Sequence, residues 1–302
     1  MTPMMVKFLI GLSLLLVTLD GLSAQRETIN PEGCGKSFYK TMIVNGTLVE
    51  DYAQYPWMVF LEVNYPVGDP RGCGGSIITR RHILTAAHCV SIDNMFAERV
   101  VVLYGSVDIR RTKKVDASKM LIHKDYYIFR TEWAINDIAL LEVKYPFTFG
   151  RDVSPICLQM APMPIADKDA VAAGWGSDHH QGGVFPLLRH TTVTISDDER
   201  CTLRFWMNRY SAGLQCCSYK LGTGVCSGDS GGPLMIRIEV DRFHQVGINS
   251  YVGGPCGRDR DVYTRVSGYA NWLTRGVSSS GGYMPLGKAI TNTLESDPFL
   301  IK

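Results

Sequence analysis

The chain has 302 residues, of which 45% are hydrophobic, 10% aromatic and 20% charged, a balance that excludes a disordered chain and supplies enough apolar surface for one or two packed domains. With 31 basic against 29 acidic side chains the net charge is only +2, so the strongly basic imprint of a nucleic-acid-binding protein is missing. Nine cysteines are present, from Cys34 to Cys256. They lack the short paired spacings of a zinc module and are expected to form disulfides in an oxidising compartment, with one thiol left over.

Lys7 precedes the apolar run Phe8 to Leu19, and the small residues Ser23 and Ala24 follow. This pattern predicts a secretory signal over residues 1–24, cut near Ala24, rather than a membrane anchor, because a spanning helix needs about 20 apolar residues. A secreted, extracellular protein with no membrane attachment is therefore expected. No repeat of solenoid or propeller length is visible. From about residue 43 the chain alternates short β-type runs, such as Trp57 to Val63, Arg99 to Tyr104, Ile138 to Val143 and Phe243 to Ile248, with clusters such as Val67-Gly-Asp-Pro70 and Val252-Gly-Gly-Pro255. That pattern predicts an antiparallel β-barrel or sandwich. Ser267 to Arg275 places Tyr269, Trp272 and Leu273 at helical spacing and predicts a closing helix. Gly276 to Lys302 has little periodicity and is read as a flexible extension.

Three segments carry residues suited to chemistry. In Leu84-Thr-Ala-Ala-His-Cys89, His88 follows a strand-like run and offers a base. In Asn136-Asp-Ile-Ala-Leu140, Asp137 leads into a strand that reads as buried. A carboxylate there is costly unless paired, and an imidazole N–H is a suitable partner. Gly228-Asp-Ser-Gly-Gly-Pro-Leu234 holds Ser230 on a glycine-rich turn, where backbone amides can converge on a developing oxyanion. Taken singly, each is more often a turn, a cap or a structural side chain.

Together, in the order His88, Asp137, Ser230, they resemble the chymotrypsin-like serine peptidases. Ile43-Val-Asn-Gly46, Cys73-Gly-Gly-Ser76, Ala173-Gly-Trp-Gly176, Ser250-Tyr251 and Val262-Tyr-Thr-Arg-Val266 extend the resemblance over residues 43–275. It implies an all-β fold of two six-stranded antiparallel β-barrels with the site in the cleft between them and a C-terminal helix. It also implies Ser230 as nucleophile, His88 as base, Asp137 and Ser250 supporting the imidazole, and an oxyanion hole from the amides of Gly228 and Ser230. Polypeptide substrates, an activating protease and protein inhibitors would be the partners of a monomer needing no cofactor and no metal. Arg110-Arg-Thr-Lys-Lys114 stands where some relatives bind calcium, and lacks the oxygen ligands that calcium requires. A catalytically silent homologue acting as a binding or regulatory protein is the competing reading.

The same resemblance implies four disulfides, Cys34–Cys157, Cys73–Cys89, Cys201–Cys217 and Cys226–Cys256, with Ala170 and Ile236 where a further family bridge would sit. Cys216 is then the odd thiol, either inert or exchanging roles with Cys217. It further implies a precursor in which residues 25–42 form a propeptide, retained through Cys34 after a cut that frees Ile43 to pair with Asp229. Met42, not a basic residue, precedes that cut and Lys40 stands two residues earlier, leaving direct cleavage or trimming after Lys40 both open. Asn45-Gly-Thr47 is a glycosylation sequon. At the specificity pocket, Gly224 replaces the acidic base of trypsin-like relatives, Val252 follows Ser250-Tyr251 where a glycine admits long side chains, and Asp261 stands on the back strand. With Val225, this set resembles an elastase pocket and implies cleavage after small aliphatic residues. Chymotrypsin-like and trypsin-like preferences are the alternatives.

Overall fold

Apolar runs rich in valine, leucine and isoleucine supply the framework: Arg99–Tyr104 buries four consecutive side chains and Ala139–Val143 buries four of its five, as strands covered on both faces do. The structure, a computed structural model, describes residues 27–38, 47–92, 95–129, 133–177, 182–205, 210–279 and 281–286. The expected signal segment lies outside them. The first barrel is formed by β1 (Met58–Asn64), β2 (Arg71–Ile77), β3 (His82–Thr85), β4 (Arg99–Tyr104), β5 (Lys113–Ile122) and β6 (Ala139–Val143). Their order is β6-β3-β2-β1-β4-β5, closed by pairing of β5 with β6. The second barrel is formed by β7 (Asp169–Gly174), β8 (Arg189–Ile195), β9 (Gln215–Tyr219), β10 (Pro233–Glu239), β11 (Arg242–Val252) and β12 (Asp261–Arg265). Here the order is β8-β7-β10-β11-β12-β9, closed by β8 and β9. The fold is thus two closed six-stranded antiparallel barrels, as the sequence implied.

The barrels share a core. Trp57 and Met58 of the first pack in one cluster with Met235, Phe243 and Ile248 of the second. Polar links cross the same seam: Trp57 Nε1 donates to Met235 Sδ at 3.0 Å, and Ser76 Oγ to Gln245 Oε1 at 2.6 Å. Segments near both ends of the described residues are also attached across it. Near the N-terminus Cys34 is bonded to Cys157, Phe243 N donates to Gly35 O at 2.8 Å, and Lys36 bridges Arg242, so this segment lies on the second barrel.

The closing helix α2 (Ala270–Ser278) begins later than the sequence suggested, because Val266–Tyr269 forms a 3₁₀ turn before it. It returns to the first barrel, where a methyl at Gly276 would press on Leu140 and Leu121. The first part of the extension read from Gly276 makes defined contacts. Met284–Pro285 pairs with Met120 and Lys119 of β5, and Tyr283 Oη donates to Gly276 O at 3.2 Å. Residues 287–302 lie outside the described part.

A second helix, α1 (Asp198–Phe205), was not anticipated. Asp197 caps it by accepting from Arg200 N at 2.7 Å, acidic side chains occupy its first turn, and the Cys201–Cys217 disulfide ties it to β9. No helix among the described residues is long and apolar enough to cross a membrane.

Candidate active site

The short strand β3 delivers the chain to a 3₁₀ turn, Ala87–Cys89, that carries His88. The Cys73–Cys89 disulfide fastens this turn to β2. Asp137 sits just before β6, after Asn136, whose backbone is left-handed at φ 51°. That conformation is unfavourable for a residue with a side chain. It is held from both sides: Tyr269 Oη donates to Asn136 Oδ1 at 2.9 Å, and Asn136 Nδ2 donates to Asp125 O at 2.7 Å.

Asp137 is completely buried and its carboxylate is well partnered. His88 Nδ1 meets Oδ2 at 2.8 Å, His88 N donates to Oδ1 at 2.9 Å, and Ser250 Oγ donates to Oδ2 at 2.6 Å. Ser250 reaches it because the register of β11 against β12 shifts between Asn249 and Tyr251, leaving Ser250 as the extra residue of a bulge. Burial alone would raise the Asp137 pKa, but the His88 charge and these hydrogen bonds hold it below its ordinary 3.8. For His88, burial opposes the charged ring, while the charge and hydrogen bond of Asp137 hold its pKa above 6.5. The imidazole is therefore oriented through Nδ1, with Nε2 left for proton transfer.

Ser230 lies on the loop between Cys226 and β10. Gly74 N, on β2, donates to Ser230 O at 2.7 Å, so the first barrel braces the loop of the second. The amides of Asp229, Gly231 and Gly232 donate to Cys226 O, Asn249 O and Asp229 O. None of the described residues accepts from the amides of Gly228 and Ser230. Gly228 has φ 96°, which only glycine adopts readily. His88, Ser230 and Gly228 line one cleft together with Trp133, Tyr251 and Val252.

The other expected residues divide. Val225 and Ser250 line that cleft, whereas Gly224 lines a neighbouring cavity of about 150 Å³ shared with Asp229. Asp261, expected on the back wall of the specificity pocket, is only 2% exposed and accepts from Val225 N at 3.2 Å. Burial raises its pKa to about 7. Its Oδ2 would stand 2.7 Å from a methyl at Gly224, so the carboxyl group occupies the space that a side chain there would need. Asp229 accepts from Gly176 N at 2.8 Å and Cys226 N at 3.0 Å, and its carboxyl fills the room left by the missing side chains of Gly174 and Gly176. Burial nevertheless raises its pKa to about 6. Lys40, Met42, Ile43 and Asn45 lie outside the described residues.

Four disulfides are formed, Cys34–Cys157, Cys73–Cys89, Cys201–Cys217 and Cys226–Cys256. Cys216 is free and buried. Burial pushes its thiol up to about 12, which makes it a poor nucleophile. It packs in one cluster with Ala170 and Ile236. Cys73, His88 and Cys89 approach within metal-ligand distances, but both sulfurs are bridged and only an imidazole remains to coordinate. Arg110, in the basic run, is bound to Asp108 through both of its carboxylate oxygens. The sequence reading missed Thr264, whose Oγ1 donates to Asp137 O at 2.7 Å, and the Asn136–Tyr269 pair. Thr264 stood inside the Val262 to Val266 motif, and Tyr269 read only as part of a helix face.

Residues 43–273 match the family model for Trypsin. Serine protease SP24D of Anopheles gambiae is 31% identical over 239 residues, covering 78% of this chain and 81% of that protein. Chymotrypsin-2 of Vespa crabro is 33% identical over 225 residues, covering 74% of this chain and 94% of that protein. Among solved structures, human heparin binding protein aligns with a TM-score of 0.61 at 26% identity, covering 76% of this chain and 95% of that one. With a double barrel whose cleft is lined by serine and histidine, the chain belongs to the trypsin family and is a serine endopeptidase.

Proposed function

We propose that the protein is a secreted peptidase, made as a precursor, that cleaves polypeptides after small side chains through Ser230, His88 and Asp137. The hydrogen-bonded array of Asp137, His88 and Ser250 on the wall of the cleft that holds Ser230 carries this reading. Ser230 Oγ attacks the scissile carbonyl as His88 Nε2 takes its proton. The tetrahedral oxyanion is received by the Gly228 and Ser230 amides. Collapse breaks the peptide bond, with His88 returning the proton to the leaving amine, and water then releases the acyl group by the same route. Labelling of the processed protein by a fluorophosphonate probe, lost in Ser230→Ala, is the expected result. A processed protein that takes up no label at Ser230 would favour the silent binding homologue.

Activation follows from Asp229. A carboxyl group pushed up to about 6 by burial is poorly served by two amides, and a new ammonium at Ile43 would supply the missing charge. The propeptide would remain attached through Cys34–Cys157, so activated enzyme should lose a small fragment on gels only after reduction. Four disulfides support an extracellular setting.

The preference for small residues rests on Val252 and Val225 in the cleft and on Asp261 outside it. A clash with packed valine costs about 1–3 kcal/mol. A carboxyl group with a pKa of about 7, bound to the Val225 amide, attracts a distant cation only weakly. Alanine and valine substrates should therefore outperform lysine, arginine and large aromatic ones in matched peptide kinetics.

A further inference from the structure

Asn249 is 2% exposed, yet it lines the same cleft as Ser230 and Val252. Its side chain has two arms in different circumstances. Nδ2 donates to Asp229 O at 2.8 Å, which fixes the orientation of the amide, because the reversed group would set two carbonyl oxygens against each other. Oδ1 is buried and has no hydrogen-bond partner among the described residues. A buried acceptor left unpaired is unfavourable and rare, and it rewards any donor that reaches it.

The neighbouring groups do not fill this need. Asn249 N donates to Gly232 O and Asn249 O accepts from Gly231 N, so the backbone is fully engaged with the serine loop. Val225 and Val252 line the cleft beside Asn249, and branched side chains in those places favour short substrate side chains that carry their donor close to the backbone.

We infer that Asn249 Oδ1 accepts a hydrogen bond from the hydroxyl of the substrate residue whose carbonyl is attacked, so that threonine and serine are preferred there over their near-isosteres valine and alanine. The inference rests on the proposed peptidase reading and deepens its specificity. Threonine and valine differ at this site essentially by a hydroxyl in place of a methyl. A pocket built around an unpaired acceptor discriminates such pairs better than a purely apolar one does.

The test uses the activated, disulfide-intact enzyme and peptides identical except for threonine, valine, serine or alanine at this position. The expected kcat/KM is about ten-fold higher for threonine over valine, and for serine over alanine. Asn249→Ala also removes the Nδ2 contact with Asp229, so its rates should fall on every peptide. The readout is the ratio between peptides, which should collapse toward one. Equal rates on threonine and valine in the unaltered enzyme would overturn the inference, a resident water then serving Oδ1. A hydroxyl preference that survives Asn249→Ala would overturn it as well. If fluorophosphonate labels Ser230 while the ratio is one, only this inference falls; if Ser230 takes no label, the peptidase reading falls and carries the inference with it.

Discussion

Three aspartates sit in enclosed positions of the two barrels, and their surroundings set them apart. Asp137, at the mouth of the first barrel, has three donors on its carboxylate and a titratable partner, and its pKa is held down. Asp229 and Asp261, in the second barrel, have two donors and one, and burial pushes them up to about 6 and about 7. Burial has the same sign in all three, so the number and charge of the partners decides the outcome. The array around Asp137, built on the first barrel and completed by Ser250 of the second, is fully partnered. The second barrel holds carboxyl groups whose partners are incomplete, and that is where control of activity and specificity is expected.

The largest way to break this contrast is to unmake the finished network. Asp137→Asn keeps the shape but favours the wrong imidazole tautomer, and kcat should fall by about four orders of magnitude with little change in Tm. Asp229→Asn addresses the unfinished one. Protein cut at Ile43 should gain activity in the parent but stay near the precursor rate in the variant, about 10²- to 10³-fold lower, as when an oxyanion donor is lost. Active-site titration of both forms before and after the cut measures this.

Stability against pH sharpens the contrast further. In the uncut chain the folded pKa of Asp229, about 6, lies above its ordinary 3.8. Its stabilising contribution is then complete below pH 3.8 and lost as pH rises through 6. Uncut Asp229→Asn should therefore be more stable than the parent at pH 7 by on the order of 2 kcal/mol, and equal to it near pH 4. Buried His82 and His190, each lowered to about 4 by burial, lose stability in the opposite direction, as pH falls from 6.5 through 4. They are common to both proteins and cancel in the difference of denaturant midpoints. The smallest effect is expected for Ser250→Ala, about ten-fold in kcat/KM, since one of three donors to Asp137 is removed. In the parent, the acidic limb of kcat/KM should lie above pH 6.5, because His88 must be neutral to act and Asp137 holds its pKa up.

Much of this was legible in the chain because it is written in contiguous motifs. His88, Asp137 and Ser230 each stand in a short contiguous segment, and strands such as Arg99–Tyr104 announce themselves by consecutive buried valines. Helix α1 was not legible, since only Cys201 and Phe205 of its eight residues are buried and a disulfide holds it in place of an apolar face. Met284–Pro285 was equally hidden, because two residues have no period and their pairing depends on β5, far away in the chain. The bulge at Ser250 and the unpaired Oδ1 of Asn249 are products of register and tertiary packing. Neither leaves a mark on spacing or composition.

The segments near the two ends of the described residues are exchanged between the barrels: the one from Cys34 is fastened to the second, while α2 and Met284–Pro285 are fastened to the first. The molecule is in effect laced, each half carrying a strap that originates from the other. Hinge opening of the cleft would have to strip a strap as well as part the shared core, so rigid-body gaping is mechanically opposed. Admission of substrate is then expected to rely on loops, at a cleft whose two barrels keep their separation.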